Sequence, residues 1–204
     1  SVTITTLPSP NISYAGSPFC SSLTSGVVLL GGTGIITGGT YSSSLGGLAL
    51  NTISGGIDPS TSTAGTYTVT YTIAATGGCS AVSTTASVTI TTLPSATLSY
   101  TSTSFCQTLA SPQIPNQTGA TNGLYTASAL VLSIDNTTGA IDPSQSSAGT
   151  YTVTYTIPAL NGCAAVLVPT TVTITALPTA SIIYAGSPFC SSLTSGAVTL
   201  TGTG

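Results

Sequence analysis

The chain has 204 residues and almost no charge: lysine, arginine and histidine are absent, and three acidic residues leave a formal net charge of −3. Binding to nucleic acid or to an anionic membrane surface rests on cationic side chains, so neither partner is expected. General acid–base or nucleophilic catalysis needs a base beside a hydroxyl or thiol, or a close carboxylate pair; without histidine, lysine or glutamate, no catalytic residue and no enzyme are expected.

The polar character comes instead from serine and threonine, interleaved with β-branched and aromatic residues, which is a composition for sheet. The richest apolar run, Val27 to Leu30, ends at Gly31-Gly32. A spanning helix needs about 20 apolar residues, so membrane insertion is not expected. No basic stretch followed by an apolar one opens the sequence, and any export signal is expected outside it or already removed.

In chain order, Val2 and Ile4 alternate with threonines as an inward-facing strand would, and Leu7-Pro8 closes that segment. Gly31-Gly32 and Gly38-Gly39 read as turns, Leu48 and Leu50 as a short alternating strand, and Gly55-Gly56 with Asp58-Pro59-Ser60 as further turns. Asp58 is expected to initiate its turn. Residues 66–73 alternate strictly: Tyr67, Val69, Tyr71 and Ile73 face inward, and Thr66, Thr68, Thr70 and Thr72 face outward. Gly77-Gly78 then turns the chain toward Val88 and Ile90.

Everything after this point is repetition. Ser1 to Pro8 returns at Ser87 to Pro94 and nearly unchanged at Thr171 to Pro178; AGTYTVTYTI occurs at Ala64 and again at Ala148; Ile57-Asp58-Pro59-Ser60 returns as Ile141-Asp142-Pro143-Ser144. Leu132 and Ile134 repeat Leu48 and Leu50, and Asn122-Gly123 and Asn161-Gly162 are the later turn signals. A repeat of this size is a whole domain rather than a solenoid unit. Tyr14 to Gly34 matches Tyr184 to Gly204 at 18 of 21 positions, whereas the stretch after Tyr100 matches less well, which gives an alternating A-B-A-B array. The phasing assigns residues 1–8 to the last strand of a preceding repeat, 9–94 to repeat A, 95–178 to repeat B, and 179–204 to the start of a further A-type repeat. Linkers containing Pro8, Pro94 or Pro178 predict a semi-rigid rod.

Five cysteines recur at fixed spacing without histidine, which points to disulfides in an oxidising, extracellular setting and not to zinc. Cys20 with Cys79, and Cys106 with Cys163, fall within one repeat each, so two intradomain bonds are expected. Cys190 aligns with Cys20 and Cys106, and its partner is expected about 59 residues downstream, beyond the numbered chain. Asp135 with Asn136 and Asp142 is a weak calcium possibility, set against the six to eight oxygens a calcium ion wants; no metal and no cofactor is expected. Asp142, like Asp58, is read as a turn residue. Asn11, Asn116 and Asn136 head glycosylation-type triplets.

At AGTYTVTYT and at Leu132 to Ser144, LSIDNTTGAIDPS, the chain resembles the immunoglobulin-like repeats of very large secreted surface proteins of Bacteroidota-type bacteria. The resemblance covers essentially the whole chain. It implies an all-β fold of tandem immunoglobulin-like β-sandwich domains, with Tyr67 and Tyr151 in the position of a tyrosine corner. Val69 and Val153 stand where antibody domains carry the second core cysteine, and tryptophan is absent. The implied role is the structural shaft of an extracellular adhesin or filament at the bacterial cell surface, with neighbouring repeats, other filament strands, or a glycan or protein ligand as partners. A binding module and a donor-strand-exchanged pilin subunit are the alternatives.

Overall fold

The computed structural model describes residues 6–203; Val2 and Ile4 of the first expected strand lie outside the described residues. Among the described residues the fold is all-β apart from a single 3₁₀ turn, and the chain divides into two compact units. One comprises residues 1–95 together with 158–166, the other residues 96–157 and 167–204.

The first unit is built from β1 (Ser9–Ser13), β2 (Phe19–Cys20), β3 (Leu29–Thr33), β4 (Thr40–Ser43), β5 (Gly65–Ile73) and β6 (Val82–Thr91). They form a β-sandwich of a four-stranded sheet, ordered β2-β6-β5-β4, and a two-stranded β1-β3 sheet, with one core between them. β5 and β6 are antiparallel over their whole length, from Gly65 opposite Ile90 to Ile73 opposite Val82. β2 joins β6 in parallel, with Cys20 opposite Thr91. The alternation of β5 is realised side chain by side chain. Tyr67, Val69, Tyr71 and Ile73 are buried and pack with Ile12, Tyr14, Phe19, Tyr41, Ile57, Val88 and Ile90 in one core.

Two sequence expectations change here. Gly31 and Gly32 are part of strand β3, not a turn. A Cβ on Gly32 would collide with the Ser9 carbonyl oxygen of β1, so the glycine permits close backbone approach between paired strands. Leu48 and Leu50 do not form a strand either: Leu50 makes one isolated bridge, to Ile57. The chain turns too soon, because the Asn51 side chain accepts from Ile53 N and Ser54 N and folds the backbone back. In the second unit Ile134 likewise makes only one bridge, to Ile141.

The second unit repeats the plan with β7 (Ala96–Ser99), β8 (Ser104–Cys106), β9 (Asn116–Gly119), β10 (Leu124–Ala127), β11 (Gly149–Ile157) and β12 (Val166–Thr175). Its sheets are β10-β11-β12-β8 and β7-β9, with β8 parallel to β12 and Cys106 opposite Thr175. Leu98, Phe105, Tyr125, Tyr151, Val153, Tyr155, Ile157, Val172 and Ile174 are buried. A last hairpin, β13 (Thr179–Tyr184) with β14 (Val198–Thr203), pairs Thr179 with Thr203 as β1 and β3 pair Ser9 with Thr33. Its Ile182, Tyr184 and Leu200 are exposed.

Both sandwiches are tied by the same set of tyrosine hydroxyls. Tyr14 Oη donates to Gly55 O at 2.6 Å, and Tyr100 Oη to Gly139 O at 2.6 Å. Tyr67 Oη donates to Thr63 O at 2.7 Å, and Tyr151 Oη to Ser147 O at 2.8 Å. Tyr71 Oη donates to Ile36 O and accepts from Gly39 N; Tyr155 Oη does the same with Ala120 O and Gly123 N. Burial foremost, and Tyr41 second, push the Tyr14 hydroxyl up to about 12. Burial, then Tyr125, raises Tyr100 as well.

Truncating Tyr67 or Tyr151 to alanine is expected to cost its own unit about 2–4 kcal/mol, since a buried ring and a hydroxyl bond go together. Tyr67→Phe, which spares the ring, is expected to cost about 1 kcal/mol. Denaturant midpoints with unit-resolved hydrogen exchange check both.

Alkali supplies a second test. The folded pKa of Tyr14 lies above the unfolded tyrosine value of about 10, so its contribution is complete below pH 10 and drains away as pH rises from there toward 12. Denaturation midpoints measured across that range are expected to fall, and Tyr14→Phe to flatten the fall while lowering stability at pH 8.

Candidate functional site

Chemistry-bearing side chains are few, and most serve the backbone. Asp58 Oδ1 accepts from Ser60 N at 3.0 Å and Ser60 Oγ at 2.7 Å. The Ser60 hydroxyl is the main reason that its carboxyl is held below the usual range. Asp142 Oδ1 accepts from Ser144 N and Ser144 Oγ in the same geometry, capping the 3₁₀ turn Pro143–Gln145. Asp135 Oδ1 accepts from Thr137 N and Thr138 N, both at 2.8 Å, and the Thr138 N–H is the chief cause of its lowered pKa. Each carboxylate thus closes a local turn. Among the described residues no three His, Cys, Asp or Glu side chains come together as metal ligands.

The cysteines make the distinctive arrangement. Cys20 is bonded to Cys163, with Cα atoms 4.7 Å apart and a sequence separation of 143. The expected pairs Cys20–Cys79 and Cys106–Cys163 do not form, and strand geometry explains why. Cys20 lies opposite Thr91, the last residue of β6, whereas Cys79 precedes Val82, the first. Ten strand residues at about 3.3 Å each put the two ends roughly 30 Å apart, far beyond the reach of about 7 Å that a disulfide allows. Cys106, opposite Thr175, and Cys163, before Val166, stand at opposite ends of β12 in the same way. The expected within-repeat pairing therefore fails for Cys20 and for Cys163, and the expected partner of Cys190 lies beyond the numbered chain. Cys106 and Cys190 form no disulfide among the described residues.

The Cys163 end of the bond is a two-residue turn seated on β2 and β6. Asn161 and Gly162 both have positive φ, 51° and 79°, and Leu160 and Cys163 close the turn through mutual backbone bonds of 3.1 and 3.0 Å. The Thr91 hydroxyl donates to Asn161 O at 2.7 Å, and Cys163 Sγ reaches Thr92 O at 3.6 Å. Gly162 comes so near the Pro18 carbonyl oxygen that a Cβ would overlap it; only glycine fits. Gly77, Gly78 and Cys79 form the same turn, with φ 58° and 82° and Cys79 N donating to Thr76 O at 2.9 Å, but among the described residues no atom lies within 4 Å of a Cβ placed on either glycine. An open cleft of about 530 Å³, bordered by Pro8, Ile35, Ile73 and Gly77, adjoins that turn. Spacing in the sequence revealed the cysteines as a set; only the parallel placement of β2, which no local pattern signals, reveals which end of the sandwich each occupies.

No family model and no curated protein matches the chain. Among solved structures, the N-terminal eight immunoglobulin domains of Down Syndrome Cell Adhesion Molecule isoform 1.30.30 show 12% identity and a TM-score of 0.49 over 83% of this chain and 25% of that one. Drosophila N-cadherin EC1-4 shows 10% identity and a TM-score of 0.36, over 72% and 44%. A SusE-like, surface-located polysaccharide-binding protein of the Bacteroides thetaiotaomicron heparin utilisation locus shows 18% identity and a TM-score of 0.34, over 82% and 34%. The chain thus spans between a quarter and less than half of these proteins.

Proposed function

We propose that the chain is a stretch of the shaft of an extracellular adhesin or filament, in which immunoglobulin-like repeats act as spacers and perform no catalysis. The observation that carries this reading is the Cys20–Cys163 bond. It ties the opening of the stretch phased as 9–94 to a turn that lies in the stretch phased as 95–178 yet packs within the first compact unit, so successive stretches of sequence share one unit, which fits a tandem array. The near-exact repetition of core, turns and tyrosine ties supports the same reading, because each copy brings its own packed core. A disulfide also fits an oxidising, extracellular location.

The test is the length of the intact polypeptide under denaturing, reducing conditions. The shaft reading expects a chain several times longer than these 204 residues. A discrete species of this length would instead favour a subunit assembled by strand exchange. Specific micromolar binding of this chain on a glycan array would favour a recognition module.

A further inference from the structure

Each of the two sandwiches grips one short segment of its own chain in the same way. In the first, Gly26 N donates to Ile57 O at 2.8 Å, Ile57 N donates to Gly26 O at 2.9 Å, and Tyr14 Oη donates to Gly55 O. A Cβ on Gly26 would stand 2.7 Å from Ile57 Cγ1 and 3.1 Å from the Phe19 ring, so the isoleucine lies over a bare glycine beside an aromatic ring. In the second, Gln113 N donates to Ile141 O at 2.7 Å, Ile141 N to Gln113 O at 3.0 Å, and Tyr100 Oη to Gly139 O. Both isoleucines are buried, and each is followed by the Asp-Pro-Ser turn.

The segment from Tyr184 to Gly196 is a third copy of the gripping half. Leu193 N donates to Cys190 O at 3.0 Å, as Leu23 N does to Cys20 O. The Tyr184 and Phe189 rings meet edge to face with centroids 6.4 Å apart, as Tyr100 and Phe105 do. The three atoms nearest to a Cβ placed on Gly196 all belong to the Phe189 ring, from 2.9 Å outward, whereas at Gly26 the Ile57 side chain comes first. Where the isoleucine would lie there is an open cavity of about 350 Å³, lined by Tyr184, Phe189, Leu193 and Gly196. Tyr184, Phe189 and Leu193 are exposed, and neither Gly196 N nor the Tyr184 hydroxyl has a hydrogen-bond partner among the described residues.

We propose that this cavity is a binding site for a Gly-Xaa-Ile-Asp-Pro segment carried by the remainder of a further A-type repeat. The isoleucine enters the cavity over Gly196, its backbone exchanges two hydrogen bonds with Gly196, and the carbonyl of the first glycine accepts from Tyr184 Oη. Ligand and site are matched without any charge: one branched aliphatic side chain, one backbone pair and one hydroxyl. The A-type partner is selected because position 196 is glycine, as position 26 is, whereas the B-type copy carries Gln113 there; Tyr14 to Gly34 and Tyr184 to Gly204 agree at 18 of 21 positions. The segment also arrives preshaped, since the aspartate that follows the isoleucine holds its own turn through Ser60 N and Ser60 Oγ in the first unit. The source of the further repeat rests on the shaft reading; the chemistry of the cavity does not.

The experiment extends the full chain beyond Gly204 with a copy of residues 35–94, which brings the tethered segment to the cavity at high effective concentration. Hydrogen exchange at the Gly196 amide is the readout. Exchange is expected to be roughly a hundredfold slower than in the unextended chain. Replacing the appended copy of Ile57 by serine is expected to reverse about tenfold or more of that gain. Tyr184→Phe, which keeps every ring and leaves the appended sheet unaltered, is expected to reverse about fivefold, the loss of one hydrogen bond. No gain at Gly196, or a gain that neither substitution reduces, would overturn the proposal. A Gly196 amide already protected in the concentrated unextended chain, and released on dilution, would overturn it in favour of a second copy as the occupant. An unprotected Gly196 within a parent polypeptide several times longer would sink the binding site and leave the shaft reading standing. A parent of this length would remove the shaft reading and the further repeat with it, whatever the exchange shows.

Discussion

The fold depends on buried tyrosines whose rings pack the core while their hydroxyls hold the loops. A chain with three charged side chains has almost no ion pairs available to fix its long connections, and buried backbone groups must nonetheless find partners. Tyr14, Tyr67 and Tyr71 meet both demands. Each ring lies in the core, and each hydroxyl reaches a backbone carbonyl in a loop, as far as 41 residues away in the case of Tyr14. Where the ring and the loop meet, glycine follows. A Cβ on Gly39 would stand 2.5 Å from the Tyr71 ring, and one on Gly123 the same distance from Tyr155, so the glycine N–H can approach the hydroxyl only because no side chain intervenes. Tyrosine and glycine act here as a pair, and the pair recurs with the repeat.

Much of this was legible in the sequence. The strict alternation over residues 66–73 specified both the strand and its inward face, and repetition carried that assignment to β11. The turn roles of Asp58 and Asp142 are local, set by a side chain and the two residues after it, and their geometry is found where the sequence placed it. The tyrosines were visible as core residues, but their carbonyl partners lie in loops with no pattern to announce them.

What was not legible has a common cause: it depends on how distant segments meet. Gly31-Gly32 looks like punctuation, yet it sits inside β3 because Ser9 of β1 passes too close for a side chain. Leu48 and Leu50 alternate properly, yet the Asn51 turn ends the run before a ladder can form. The cysteine spacing was nearly constant within each repeat, and that regularity suggested the wrong partners. Regular spacing shows that positions are equivalent between copies; it does not show that they are adjacent. Once β2 is laid parallel against the end of β6, one cysteine of each repeat belongs to one end of its sandwich and the second to the other.

The observed disulfide also changes the route that tension takes. If the chain is pulled from its two termini, the load enters Cys20 and leaves from Cys163 through the sulfur–sulfur bond, so the polypeptide between them is bypassed. The hairpin of β5 and β6 and the strands β7 to β11 lie within that bypassed stretch, whereas β12 stays on the loaded path. Once the bond is reduced and the strands within the loop give way, the span of sequence separation 143 becomes stored length, roughly 500 Å of contour at about 3.3–3.6 Å per residue.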